Sequence, residues 1–287
     1  MRLRSEPPPF ARHPAITALD AGAERRDLRH DGRLVRWRRF GAGAPLVLLH
    51  GGHGSWLHWL RNIAPLAARH TLWVPDLPGF GDSDSLAGPP HAPDRMQRLV
   101  AALIATLDQL VGATTPIGLA GFSFGALAAA ELAAARGRVT QLALVGPAGH
   151  GGTRRQEASL ADWRSSDLAA MRRALLHNLG AFMLHDPAAR DDLALAVHAA
   201  ACHATRFRSK AIAQAGGLQA TLDRAAAPAL LIWGEHDVTG VPRILGPMMT
   251  ADRPQRRWHE IGGAGHWAQF ERADAVNRLL LDWFDAQ

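Results

Sequence analysis

From Glu24 onward the apolar residues change rhythm repeatedly. "APLVLLHGG", "HTLWVP", "TPIGLAGFS", "VTQLALVGP" and "APALLIW" are short continuous apolar runs, the pattern of strands buried on both faces. Between them, "RMQRLVAALIATLDQLVG" has helical spacing and stops at Gly112. An alanine-rich helix is expected from Phe124 to about Arg136. "RRWHEIGGAGHW" supplies a last strand and "ADAVNRLLLDWFDAQ" a closing amphipathic helix. "RRDLRH" and "RLVRWRRF" read as two strands joined at Asp31-Gly32, a strong hairpin dipeptide.

Strands alternating with helices predict an α/β fold with a mostly parallel sheet covered on both faces. The alternation breaks from about Ala148 to Asp223, where the chain is helical and rich in Ala, Arg and His. We read this section as a helical cap over the sheet's carboxyl edge, with Gly146-Pro147 beginning its hinge. The expected division is an N-terminal extension (1–23), a core (24–147 and 224–287) and a cap (148–223).

One stretch disobeys its surroundings. "LAGFSFGALAAAELAA" sets Ser123 in an apolar run, with Gly121 and Gly125 two residues to either side. Between a strand and a helix this G-x-S-x-G spacing is a nucleophile elbow, a turn tight enough to lift Oγ above the sheet. The helix start beyond it offers unpaired N–H groups and a positive dipole. A serine hydroxyl needs a base, and the base needs a carboxylate to orient it. In this architecture they follow in the order Ser, acid, His. Asp237 stands just after an apolar strand and His266 in the glycine-rich loop after the last one. Glu235, the nearest rival acid, lies closer to its strand. An oxyanion site is expected from the backbone N–H groups of Gly52, in "LLHGGHGS", and Phe124. Each such donor contributes about 3 kcal/mol to a transition state. His50 and His53 have a metal-like spacing but no carboxylate or cysteine nearby, so neither metal nor cofactor is expected.

Composition adds limits. With 47% hydrophobic and 20% charged residues, the chain can bury a sizeable core. The net charge of +6 comes from dispersed arginines, often beside acids, since Lys210 is the sole lysine. No RNA-binding or zinc-finger signature accompanies it, so a small molecule, with some bias to anions, is expected rather than nucleic acid. Cys202 is the only cysteine, which excludes an intrachain disulfide and fits a cytoplasmic setting. "MRLRSEPPPFARHPAI" contains no apolar leader core, and no run is long enough to span a membrane. A homo-oligomer is left open.

The residues resemble the α/β-hydrolase superfamily from about Arg26 onward, implying the α/β-hydrolase fold. The closer likeness is to the meta-cleavage-product hydrolases, which split a C–C bond in ring-fission products of aromatic degradation. It rests on "HGGHGSWLHWLRNIAPLAARHTLWVPDLPGFGDSD" and "GAGHWAQFERADAVNRLLLDWF". In that family an asparagine usually precedes the nucleophile, where this chain has Phe122; another is replaced here by His58. A cap arginine grips the substrate carboxylate, for which "ATRFRSK" offers Arg206 and Arg208. The resemblance thus implies substrate contacts at Gly51, His58, Phe122, Arg206, Arg208 and Trp267. Serine at the elbow, rather than aspartate, argues against a dehalogenase or epoxide hydrolase. The expected function is that of a serine hydrolase with a Ser-His-Asp triad acting on a C–C bond of a ring-fission dienoate; ester or lactone hydrolysis (or acyl transfer) on the same residues is the alternative, and ligand binding without catalysis comes third.

Overall fold

The computed structural model describes residues 6–152, 154, 155 and 159–286. Eight strands form one sheet in the order β1-β2-β4-β3-β5-β6-β7-β8. They are β1 (Glu24–His30), β2 (Arg33–Phe40), β3 (Ala44–Leu49), β4 (His70–Pro75), β5 (Ile117–Phe122), β6 (Val139–Val145), β7 (Ala229–Gly234) and β8 (Arg256–Ile261). Only β2 runs against the rest. The turn between β1 and β2 has Asp31 at φ 49° and Gly32 at φ 71°, both left-handed as a tight hairpin turn requires.

The helices are α1 (Pro14–Ala21), α2 (Leu60–Ala67), α3 (Arg95–Val111), α4 (Phe124–Arg136), α5 (Leu168–Asn178), α6 (Asp192–Ala204), α7 (Lys210–Gln214), α8 (Leu218–Ala225), α9 (Pro242–Thr250), α10 (Ala268–Glu271) and α11 (Ala273–Asp285). Alternate strand residues feed two cores. Leu46, Leu48, Ala120 and Phe122 pack with Ile63 of α2 and Leu280 of α11. Val47, Leu49 and Leu119 pack with Leu103 of α3 and Leu127 of α4. This is the α/β-hydrolase architecture, and it delivers the ends of β3, β5, β6 and β7 to one edge.

The helical section between β6 and β7 divides. Its last helix, α8, packs beside α4 against the sheet, with Thr221 Oγ1 donating to Glu131 Oε1 at 2.7 Å. Leu218 and Leu222 bury in the same core as Leu127, which draws α8 off the sheet edge. The N-terminal section also has partners. A short turn at Pro9–Ala11 packs on α6, and Asp20 of α1 reaches Arg38 of β2. Among the described residues, no helix is long and apolar enough to cross a membrane.

Arg38 underpins the site. It is only 3% exposed and bonds Asp20 (2.9 Å), Asp76 (3.0 Å) and Asp82 (2.9 Å). Asp76 in turn accepts the N–H groups of Trp56 and Asp82 at 3.0 and 3.1 Å, pinning the segment that follows the glycine-rich loop after β3. Removing the cation strands the buried Asp76 carboxylate, a loss of about 3–5 kcal/mol. Arg38→Met is therefore expected to lower the thermal midpoint by roughly 10 °C. Calorimetry checks it, and an unchanged midpoint would mean the network contributes nothing net.

Candidate active site

Ser123 stands between the end of β5 and the first residue of α4, at φ 53° and ψ −116°. Side chains rarely adopt that region, so the surroundings must hold it. The glycines around it serve close approach: a Cβ on Gly121 would stand 2.6 Å from Ala126 Cα, and one on Gly125 2.6 Å from the Leu49 carbonyl.

From Ser123 a line of hydrogen bonds runs inward. Ser123 Oγ is 2.9 Å from His266 Nε2, and His266 Nδ1 is 2.9 Å from each Asp237 oxygen. A carboxylate only accepts, so Nδ1 carries the proton and the Nε2 lone pair faces the hydroxyl. Asp237 is fully buried and takes two further bonds from Thr239, from N–H at 2.8 Å and from Oγ1 at 2.7 Å. Burial pushes the Asp237 carboxyl up. The His266 charge and the bonds from His266 and Thr239 outweigh it and hold the group below the usual carboxylate range. The imidazole lies between the rings of Phe122 (5.0 Å between centroids) and Phe182 (5.1 Å). Gly146, at φ 49°, lies against the pair, and a Cβ there would stand 3.0 Å from the His266 ring.

Opposite Ser123, the N–H groups of Gly52 and Phe124 bond no acceptor among the described residues. The neighbouring Gly51 N–H is used: it donates to His58 Nδ1 at 3.2 Å. Gly51 itself packs on the Phe122 ring and Ser123 Cβ. His50 is committed at both nitrogens. Nδ1 donates to the Gly51 carbonyl at 2.8 Å, and Nε2 accepts the Leu77 N–H at 2.9 Å. Burial lowers its pKa to about 4. Among the described residues, no three His, Cys, Asp or Glu side chains converge on a metal position.

The family model for the alpha/beta hydrolase fold matches residues 44–273. The chain belongs to the alpha/beta hydrolase fold family. It is 30% identical, over 85% of its length and 88% of the relative's, to a 2-hydroxy-6-oxononadienedioate/2-hydroxy-6-oxononatrienedioate hydrolase of Cupriavidus pinatubonensis. It is 32% identical, over 87% of its length, to the dihydrolipoyllysine-residue acetyltransferase component of an acetoin cleaving system of Pseudomonas putida, spanning 66% of that longer protein. Among solved structures, an esterase of a Rhodococcus species superposes with a TM-score of 0.73 at 25% identity, covering 92% of this chain and 99% of the esterase.

This alpha/beta hydrolase brings Ser123, Asp237, His266, Gly51, Gly52, Phe122, Phe124, His58 and Trp267 into one neighbourhood. The His58 ring lies 5.2 Å from Phe122 and 5.1 Å from Trp267, whose Nε1 donates to the His58 carbonyl at 2.9 Å. Arg206 turns elsewhere. Its guanidinium donates to the carbonyls of Gly81 (3.3 Å), Ser83 and Ala204 (2.6 Å) and to Ser85 Oγ (3.3 Å). Arg208 is exposed, and its charge is felt at His53. Cys202 is buried beside His198, 3.7 Å from Nε2, with its thiol pushed up to about 12 by burial.

Three residues at the site were not singled out in the sequence: Thr239, Gly146 as a close-approach position, and Glu271. The Glu271 carboxylate accepts the N–H of Gly265, at 2.6 Å, and that of Asp186, at 2.5 Å. It thereby ties the His266 loop to the section between β6 and β7. The Asp237-x-Thr239 spacing, which suits a local side-chain turn, is the one signal that pointed to any of them.

Proposed function

We propose that this alpha/beta hydrolase cleaves carboxylic esters or lactones through an acyl-enzyme formed on Ser123. Ser123 Oγ attacks the substrate carbonyl carbon while His266 Nε2 takes its proton. The carbonyl π pair moves to oxygen, where the N–H groups of Gly52 and Phe124 receive the charge. His266, steadied by Asp237, returns the proton to the leaving alcohol oxygen, and water then clears the acyl group by the same steps. The observation that carries the reading is the continuous hydrogen-bonded line from Ser123 to Asp237 beside two unspent N–H donors.

The choice of an ester rests on the residues that would hold an acidic head group. Phe122 is apolar and packed, His58 is held uncharged by burial with Nδ1 accepting the Gly51 N–H, and the Arg206 guanidinium is turned to the loop around Gly81. A second reading, C–C hydrolysis of a ring-fission dienoate, is favoured by the names of relatives near 30% identity and by "GHWAQFE". Decay of a dienoate chromophore, run beside release of nitrophenol from a short-chain ester, separates the two. Faster ester turnover is expected. Dienoate loss that exceeds it and requires Ser123 would replace the ester reading with the second.

A further inference from the structure

We infer that Ser209, from the section between β6 and β7, is a third donor to the oxyanion site and a catalytic residue of this hydrolase. The inference rests on the acyl-transfer reading above.

The segment that follows α6 docks on the loop after β4 before it reaches Ser209. The N–H groups of Arg206 and Phe207 both donate to the Gly79 carbonyl, at 2.8 and 3.1 Å. The Arg206 guanidinium grips the carbonyls of Gly81 and Ser83 in the same loop. Phe207 lies against Phe80 and Phe124, with ring centroids 5.5 and 5.4 Å apart. Two residues later the chain presents Ser209, which is 5% exposed.

Its hydroxyl lies beside the two residues that carry the unspent N–H donors. A Cβ built on Gly52 would lie 2.6 Å from Ser209 Oγ, 3.5 Å from Ser209 Cβ and 3.6 Å from Phe124 Cβ. Gly52, Phe124 and Ser209 therefore share one point of contact. A Cβ at residue 52 would require that oxygen to turn away.

The hydroxyl has no other work. Ser209 stands before the first residue of α7, yet its side chain does not cap the helix; its carbonyl instead accepts the Ala213 N–H at 2.9 Å. The aspartates before α5 and α6 and Ser55 do use their side chains as caps. Among the described residues Ser209 Oγ has no hydrogen-bond partner. The residue is buried, yet Ser209 Oγ is not among the enclosed polar atoms left without a partner, so the hydroxyl keeps an open side from which a ligand atom can reach it. A carbonyl oxygen held by Gly52 and Phe124 is such an atom, and the bond strengthens as the oxygen gains charge. Arg206 then has a positioning role, since its bonds place the segment that carries Ser209.

The test measures the rate at which an alkyl fluorophosphonate labels the serine. In that reaction Ser123 Oγ bonds phosphorus, fluoride leaves, His266 takes the proton, and the phosphoryl oxygen occupies the oxyanion site. Ser209→Ala is expected to slow labelling by about 10- to 100-fold, with the thermal midpoint unchanged because no hydrogen bond within the protein is lost. Ser209→Thr, which keeps the hydroxyl, is expected to label within about threefold of wild type, and Ser209→Cys, a weaker donor, between the two. Nitrophenyl ester kinetics should show the Ser209→Ala loss in kcat with KM little changed. Equal labelling rates for wild type and Ser209→Ala would overturn the assignment. So would equal losses in the Ala and Thr variants, which would mean that shape rather than the hydroxyl matters. Failure of wild type to label at Ser123 would instead remove the acyl-transfer reading itself.

Discussion

Ser123→Ala is expected to lower kcat for any substrate of this hydrolase by about 10⁵-fold, with the fold retained. The loss is large because the serine, its base and the carboxylate act as one unit, so removing the nucleophile leaves the others without a task. The fold is expected to survive because, among the described residues, the side chain makes one hydrogen bond, to His266. Alanine accepts the φ of 53° no worse than serine does. Steady-state kinetics on the faster substrate, beside a thermal melt, check both halves. Wild-type turnover in the variant would remove Ser123 from the chemistry. A collapsed melt would make it a structural residue.

The second large effect is acid lability. His50 and His198 are buried, and burial lowers each pKa from the ordinary value to about 4. His58 is likewise held well below that value, first by burial and then by neighbouring histidines. The geometry agrees. His50 Nε2 and His58 Nδ1 both accept backbone N–H groups, so a proton on either nitrogen would face a donor. Unfolded histidines take up protons near pH 6.5, whereas His50 and His198 refuse them until about pH 4. Between those values the unfolded chain binds more protons, and stability falls as pH falls. At pH 5 the loss is about 2 kcal/mol each for His50 and His198. Asp237 acts lower. Its folded pKa is depressed, so its contribution is present above the ordinary carboxylate value and lost only beneath it. Denaturant midpoints at pH 7.5 and pH 5 measure the difference. His198→Leu is expected to shrink the gap by about 2 kcal/mol. Equal midpoints at the two pH values would mean that the folded histidines protonate freely.

The strand order and the site differ in how far they could be read from the chain. The apolar runs ending at Leu49, Phe122, Val145 and Gly234 each form a strand of the sheet, because continuous burial leaves an unmistakable local pattern. The turn at Ser123 was legible for a similar reason, since its requirement for glycines lies within five residues. Contacts between distant segments left no such trace. Nothing within the "ATRFRSK" stretch says that Arg206 bonds the loop around Gly81 or that Ser209 reaches Gly52, because both depend on how α6 ends and docks. The helical run up to residue 223 looked continuous, yet α8 leaves it to pack on α4, a choice made by Leu218 and Leu222 meeting Leu127. Glu271 escaped notice because its partners are backbone N–H groups, which any residue can supply.

The most direct test of the central claim is to map the phosphonyl group after treating the folded hydrolase with an alkyl fluorophosphonate. One group per chain, on the peptide holding Ser123 and lost when His266 is changed to glutamine, is the expected result. A folded chain that stays unmodified, or is labelled elsewhere, would contradict it.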